Sequence, residues 1–259
     1  METAEIVDGW LAALFERHRA SLTFQEVRRG VQALSRSYVE LRDRRRAPKA
    51  LDGAGKRAAF ACFFTPLHFL LVRELLVQLA PAAVERVVDL GCGCMGAGLA
   101  WATASTTAQT EVHGVDRNRW ALDEAARNLS WFGRRGRAVL GDLCSFPSPA
   151  GATGVVVAFA ANELDDDGRQ RLLQRLLSGV AAGASVLVVE PIARSLTARW
   201  WPGWEAAFVG AGGRTDLWRL PVELPPRLRE LDRAAGLDHR ELTARTLYVA
   251  RRSADAAVR

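Results

Sequence analysis

The chain has 259 residues, 49% hydrophobic and 25% charged, with a mean hydropathy near zero. That profile excludes a largely disordered, fibrous or collagen-like protein and leaves room for one large domain with an appendage. Thirty-five basic against 29 acidic residues give a net charge of +6, which suits a polyanionic partner without requiring one. Only Lys49 and Lys56 are lysines, so 33 of the 35 cations are arginines. Alanine is abundant as well, so this bias reads as coding preference rather than recognition.

Four cysteines (Cys62, Cys92, Cys94, Cys144) are too few for a disulfide framework, and none forms a C-x-x-C pair. Reduced thiols in a soluble, cytoplasmic protein are expected. The acidic start, Met1-Glu2-Thr3-Ala4-Glu5, lacks the basic and apolar regions of a signal peptide. The longest uncharged stretch, Ala58 to Val72, covers about 15 residues. A membrane span needs roughly 20, so the stretch is read as a buried helix and no membrane partner is expected.

The first 80 residues read as helices, with Ile6, Val7, Trp10, Leu11, Leu14 and Phe15 at helical spacing. Leu67, Leu70, Leu71, Glu74 and Leu75 continue that pattern before Pro81. Between them, Arg28 to Arg57 carries ten cations against Glu40, Asp43 and Asp52, a net +7 in 30 residues. Asp52-Gly53-Ala54-Gly55 reads as a loop. From Val84 short apolar strands alternate with helices: strands at 87–90, 112–116, 138–140, 155–159 and 186–190, helices at 99–104, 120–129 and 168–177. This alternation implies a parallel sheet with helices on both faces. After Pro191 the pattern loosens around Trp200, Trp201 and Trp204 and a Gly-rich loop. A helix at 226–235 and a strand at 246–250 follow, and 253–259 reads as a frayed tail. The expected organisation is a basic helical region over 1–80, a nucleotide-binding domain over 81–252, and that tail.

The informative stretch is Val87-Val-Asp-Leu-Gly-Cys-Gly-Cys-Met-Gly96. Gly91, Gly93 and Gly96 satisfy G-x-G-x-x-G, which alone fits a dinucleotide site as well as others. Asp89 discriminates, because a carboxylate two residues before the first glycine repels a pyrophosphate and attracts a cationic ligand. S-adenosylmethionine carries a sulfonium and an amino group and no phosphate. Asp116 ends the second strand, 27 residues after Asp89, where it can accept ribose hydroxyls. Asp142 follows the third, where it can accept from an adenine amino group.

Together these residues resemble the class I S-adenosylmethionine-dependent methyltransferases over roughly Val84 to Arg251. The resemblance implies a doubly wound, mostly parallel seven-stranded α/β sheet with an N-terminal helical region. It implies that Asp89, Gly91 and Gly93 cradle the methionine part of the cofactor, Asp116 its ribose and Asp142 its adenine, with Cys92, Arg117 and Leu143 as further cofactor-binding residues. Met95 departs from the family, in which many members have glycine two residues after Gly93.

At the end of the fourth strand, where the acceptor approaches, the chain reads Ala160-Ala161-Asn162-Glu163-Leu164. This is not the Asn/Asp-Pro-Pro-aromatic run of base-amino methyltransferases. Cys144 is too early to be a cytosine nucleophile, and no lysine lies in the catalytic domain for a Lys-Asp-Lys-Glu ribose enzyme. Asn162 and Glu163 are the candidates for positioning the acceptor or taking its proton; the alternative is a helix cap and a solvated rim residue. Asn162-Glu163-Leu164, Glu190-Pro191 and Leu34-Ser35-Arg36-Ser37-Tyr38 resemble the methyltransferase-like proteins of the mitochondrial and bacterial small ribosomal subunit. That resemblance implies a small-subunit ribosomal RNA methyltransferase, or an assembly factor keeping the cofactor fold without turnover. Its relatives often carry a cysteine cluster for a metal or iron–sulfur centre, but no cysteine follows Cys144, so no metal is expected. The Arg28–Arg57 run is the candidate contact to RNA. A third reading is a small-molecule methyltransferase with a helical lid and a pocket at Trp200–Trp204. The four histidines lack ligand spacing, and His68 is read as a core residue.

Overall fold

The computed structural model describes residues 3–40, 51–107, 109–147, 149–193 and 197–251, with side chains from residue 5 and not over 37–40. Two compact units emerge, one of residues 1–67 with 220–242, the other of 68–219 with 243–259. The chain thus returns to the helical unit over a segment that the sequence reading places in 81–252. The tail at 253–259 lies outside the described residues.

The helical unit holds α1 (Thr3–Arg19), α2 (Phe24–Glu40) and α3 (Ala54–Ala59), then a π-helical turn, Phe60–Phe64. Helix α2 begins where it does because Thr23 and Glu26 form a reciprocal cap. The Thr23 N–H donates to Glu26 Oε2 at 2.8 Å, and the Glu26 N–H donates to Thr23 Oγ1 at 3.3 Å. Helix α3 starts at Ala54, so the expected loop at 52–55 ends with Gly53 as its N-cap. Trp10, Leu11 and Leu14 of α1 and Val27, Val31 and Leu34 of α2 are buried, as the helical spacing requires. Helix α4 (Thr65–Leu79) follows. Residues Ala54–Leu79 are long and apolar enough to cross a bilayer by length and composition, with 61% of that window buried in the protein, as in a core helix.

The second unit is built on a seven-stranded sheet. Its strands are β1 (Arg86–Leu90), β2 (Glu111–Asp116), β3 (Gly136–Leu140), β4 (Thr153–Ala158), β5 (Ser185–Glu190), β6 (Arg214–Pro221) and β7 (Glu241–Val249). They lie in the order β3-β2-β1-β4-β5-β7-β6. The pairs β3-β2, β2-β1, β1-β4 and β4-β5 are parallel, while β7 runs antiparallel to β5. This is the expected doubly wound, mostly parallel sheet. The crossovers are α5 (Gly96–Ala104), α6 (Arg119–Trp131), α7 (Asp166–Ala181) and α8 (Trp201–Gly210); α9 (Pro226–Ala234) returns to the helical unit.

Strand β5 is buried along its whole length and β4 nearly so, which is why they read as unbroken apolar runs. One face of the sheet packs Val88, Val155, Val157, Val186 and Val188 against Leu172 and Leu176 of α7 and Trp201, Trp204 and Phe208 of α8. The parallel strands end on the side where β1 turns into α5, β2 into α6 and β4 into the loop before α7. Such carboxyl ends are where open α/β sheets place their ligands.

Candidate functional site

The turn from β1 to α5 is stitched to β2. The N–H groups of Gly91 and Cys92 both donate to the Val115 carbonyl, at 2.9 and 3.0 Å. Gly91 has φ +76°, and a Cβ there would stand 2.5 Å from that of Ala160. Glycine is thus required twice, by backbone conformation and by the approach of the β4 loop. Met95 sits in the left-handed region at φ 71° and is fully buried. Its Cε reaches within 2.7 Å of where a Cβ on Gly114 would stand. The residue that departs from the family pattern therefore adopts a backbone conformation that favours glycine, held by its own packing.

Asp89 is 1% exposed, and its Oδ2 accepts the Gly98 N–H at 2.7 Å. It lies beneath the turn and ties β1 to the first turn of α5. Burial pushes its carboxyl up to about 7, with Asp116 adding to the rise. Asp116 accepts the Gly93 N–H on Oδ2 and the Asn118 N–H on Oδ1, both at 2.8 Å. A carboxylate has about four lone-pair directions, so two remain for ribose hydroxyls. Asp142 Oδ1 accepts the Cys144 N–H at 3.0 Å and pairs with Arg117 at 3.1 Å. The Cys144 amide and Arg117 hold its carboxyl below the ordinary range. The Cys92 thiol, buried near Asp89 and Asp116, is pushed well up, which makes it an inert wall of the turn.

The β4 loop holds the other expected pair. Asn162 donates its backbone N–H to Glu190 Oε1 at 3.1 Å and its side-chain amide to Glu190 Oε2 at 2.6 Å. Helix α7 is capped instead by Asp165, whose Oδ1 accepts the Gly168 N–H at 2.7 Å. The alternative of Asn162 as that cap is thereby removed. Glu163 is exposed, yet its carboxyl is raised to about 7 by desolvation and by Asp116, with Arg117 opposing. Glu163 thus lies within electrostatic reach of Asp116 and Arg117, which brings a candidate acceptor residue towards the candidate ribose residue.

Two contacts escaped the sequence reading. Glu190 is 0% exposed and its carboxyl is raised to about 8, chiefly by burial; its partnership with Asn162 links segments that no local pattern connects. Phe159 has φ +59° and stacks on His68, ring centroids 4.3 Å apart at 27°. His68 is half-buried and desolvation lowers its imidazole to about 4, so it packs as a neutral ring against Phe159. A phenylalanine gives no sequence cue to a left-handed conformation. Among the described residues no His/Cys/Asp/Glu group could hold a metal ion.

The donor set fits S-adenosylmethionine: buried carboxylates near the turn for a cationic group, and free lone pairs on Asp116 for hydroxyls. Residues 87–183 match a family model described as a methyltransferase domain. A Nostoc punctiforme PCC 73102 protein assigned as an O-methyltransferase aligns over 86% of this chain and 69% of its own, at 15% identity and a TM-score of 0.56. The mitomycin 7-O-methyltransferase MmcR aligns over 93% of this chain and 72% of its own, at 17% identity and a TM-score of 0.50. A Pyrococcus horikoshii protein assigned as an RNA methyltransferase aligns over 72% and 85%, at 15% identity and a TM-score of 0.48. No curated protein matches the sequence. At these identities the likeness is one of fold.

Proposed function

We propose that this chain, whose residues 87–183 match a methyltransferase-domain family model, is a class I S-adenosylmethionine-dependent methyltransferase that methylates RNA, with small-subunit ribosomal RNA as the substrate class. The observation that carries the RNA reading is the +7 concentrated between Arg28 and Arg57. Arg29, Arg36 and Arg57 are exposed on the helical unit, where each phosphate contact would add salt-sensitive affinity. Five of the ten cations, Arg42, Arg44, Arg45, Arg46 and Lys49, lie outside the described residues.

S-adenosylmethionine, when bound, supplies an electrophilic methyl group on a sulfonium. Asp116 would hold the ribose hydroxyls, Asp142 and Leu143 the adenine, and the Gly91–Gly93 turn would line the methionine part. Asn162, fixed by Glu190 through two hydrogen bonds, would align the acceptor, and the Glu163 carboxyl would take its proton. A carboxyl raised to about 7 is matched to proton transfer near neutral pH.

Mass spectrometry of ribosomal RNA nucleosides from cells with and without the gene tests this reading. The expected result is one methylated nucleoside lost on deletion and restored by the wild-type gene but not by the Asn162→Ala/Glu163→Ala double variant. An unchanged nucleoside profile would refute it. A small-molecule acceptor is the second reading, favoured by a cavity of about 270 Å³ lined by Arg169, Leu173, Trp200 and Trp204. Arg169 donates to the Leu164 carbonyl, beside Glu163, and its guanidinium lies over the Trp200 ring at 5.7 Å. An RNA dissociation constant above roughly 10⁻⁴ M at low salt, the non-specific range, would favour that reading.

A further inference from the structure

Residues of α7 and α8 line the cavity of about 270 Å³, and all of them belong to the sheet unit. Trp200 and Trp204 form its aromatic corner, ring centroids 5.0 Å apart at 71°. Arg169 adds a third side, its guanidinium 5.7 Å from the Trp200 ring centroid. That guanidinium also donates to the Leu164 carbonyl, which ties the cavity wall to the loop carrying Asn162 and Glu163. Asp166 and Gln170 stand exposed at the rim, so a ring attached to a longer molecule can enter while the remainder stays in solvent.

Gly203 keeps this space open. It lies inside α8 without a left-handed backbone, and a Cβ there would meet nothing within 4 Å. Neither conformation nor packing demands glycine at this position, and almost any side chain would favour the helix more. The walls also carry an unmet demand. Arg169 Nε and Trp200 Nε1 are buried donors with no hydrogen-bond partner among the described residues. Burying a donor without an acceptor is costly, and an occupant bearing acceptor atoms can relieve that cost.

Few kinds of occupant meet these conditions. An aliphatic chain would leave both donors unsatisfied. A phosphate has no face to set against tryptophan, and Arg169 is already paired with the Asp166 carboxylate, which would repel it. A flat ring with nitrogen or carbonyl acceptors at its edge combines stacking with hydrogen bonding. A cavity of about 150 Å³ holds one benzene, so about 270 Å³ has room for two fused rings. We propose that this cavity binds a purine-sized nitrogen heterocycle, supplied by the RNA substrate as one unstacked base. The inference rests on the RNA reading above and deepens it, because the base is held beside the loop of Asn162 and Glu163. A free heteroaromatic compound carries the same chemistry, and the experiment separates the two sources.

Two fluorescent ligands test this on the full chain: 2-aminopurine riboside, and a short oligouridylate carrying one central 2-aminopurine. Stacking on an indole quenches 2-aminopurine emission, so each titration reads occupancy of the cavity. Gly203→Leu fills the space from a position that tolerates a side chain, and Trp200→Ala removes a stacking face. Each variant is expected to weaken oligomer binding at least about tenfold, the size of one base–aromatic stack. Gly203→Leu should do so while keeping the wild-type urea midpoint. Weakening of the riboside alone would assign the ring to a free small molecule and overturn RNA as its source. Oligomer binding by the wild type that neither variant weakens would overturn the inference and leave the RNA reading standing. Failure of both ligands to bind the folded wild-type protein would overturn the two together.

Discussion

Met95 combines a left-handed backbone with a fully buried side chain, so two opposing effects decide what a glycine there would do. A non-glycine residue in the left-handed region costs about 1–2 kcal/mol, which Met95→Gly would relieve. Removing a buried methionine side chain costs about 2–5 kcal/mol. The loss of packing wins, and Met95→Gly is expected to lower unfolding free energy by about 1–3 kcal/mol in a urea titration; a stabilised variant would show that strain dominates. Glu190 yields a pH prediction of definite sign. Its folded-state carboxyl titrates at about 8 against an ordinary 4.5, so the folded protein keeps a proton that the unfolded chain has lost. The stability this contributes is complete below about pH 4.5 and drains away as pH rises towards 8. Asp89 and Glu163, each raised to about 7, act in the same direction. His68, lowered to about 4 from 6.5, contributes stability above pH 6.5 that is lost as pH falls towards 4. Between pH 6.5 and 8 the carboxyls alone are changing, so the wild-type urea midpoint should fall across that window. Glu190→Gln should flatten the fall; parallel curves for the two proteins would contradict the assignment to Glu190.

At the level of elements, what the sequence revealed follows from burial. Strands β1, β4 and β5 are buried on both faces and so appear as runs of valine and leucine bounded by charge or glycine. Strand β6 escaped notice because it lies at the sheet edge with every residue exposed or half-buried, leaving no apolar run to detect. Helix α8 was hidden by Pro202 and Gly203 inside a tryptophan cluster, although Trp201, Trp204 and Phe208 are buried. Strand β7 starts at Glu241, well before the expected 246, because its first residues pack less completely. The site divides in the same way. Asp116 and Asp142 stood out in the sequence as carboxylates at or just after strand ends, and Asp89 as one beside the glycine turn; their hold on a cofactor belongs to the proposal above. The Asn162–Glu190 and His68–Phe159 pairs did not stand out, since they exist only once distant segments pack. Two substitutions test how elements meet. A Cβ on Gly30 of α2 would stand 2.2 Å from the Gly55 carbonyl oxygen of α3, a backbone clash no rotamer can relieve. Gly30→Ala should therefore cost about 1–3 kcal/mol or more, seen as faster amide hydrogen exchange in α2 and α3. Asp165→Ala removes the α7 cap and should cost about 1 kcal/mol, read as a lowered thermal midpoint. Wild-type stability in either variant would show that the crossing or the cap does not constrain its helix.

For the whole molecule, charge is distributed unevenly enough to make a quantitative statement. The segment 28–57 carries +7 while the chain as a whole carries +6, so the remaining residues sum to −1. A diffuse polyelectrolyte attraction would respond to removal of any surface arginine, whereas a located one responds to this segment. Arg29 and Arg36 lie exposed on α2, and the Arg29 Nε donates to the Gln25 carbonyl at 3.3 Å, leaving its terminal nitrogens clear of that bond. Each single-strand phosphate contact contributes a slope of about 0.7 to the fall of log affinity with log salt. Arg29→Gln/Arg36→Gln should therefore reduce that slope by about 1.4 for a ribosomal RNA fragment, while Arg134→Gln/Arg137→Gln, outside the segment, leaves it unchanged. The measurement is fluorescence anisotropy of labelled RNA across a salt series. Equal reductions in both double variants would mean that RNA follows net charge rather than this segment. No reduction in either would mean that arginines of α2 do not contact phosphate, and the RNA reading would lose the observation that carries it.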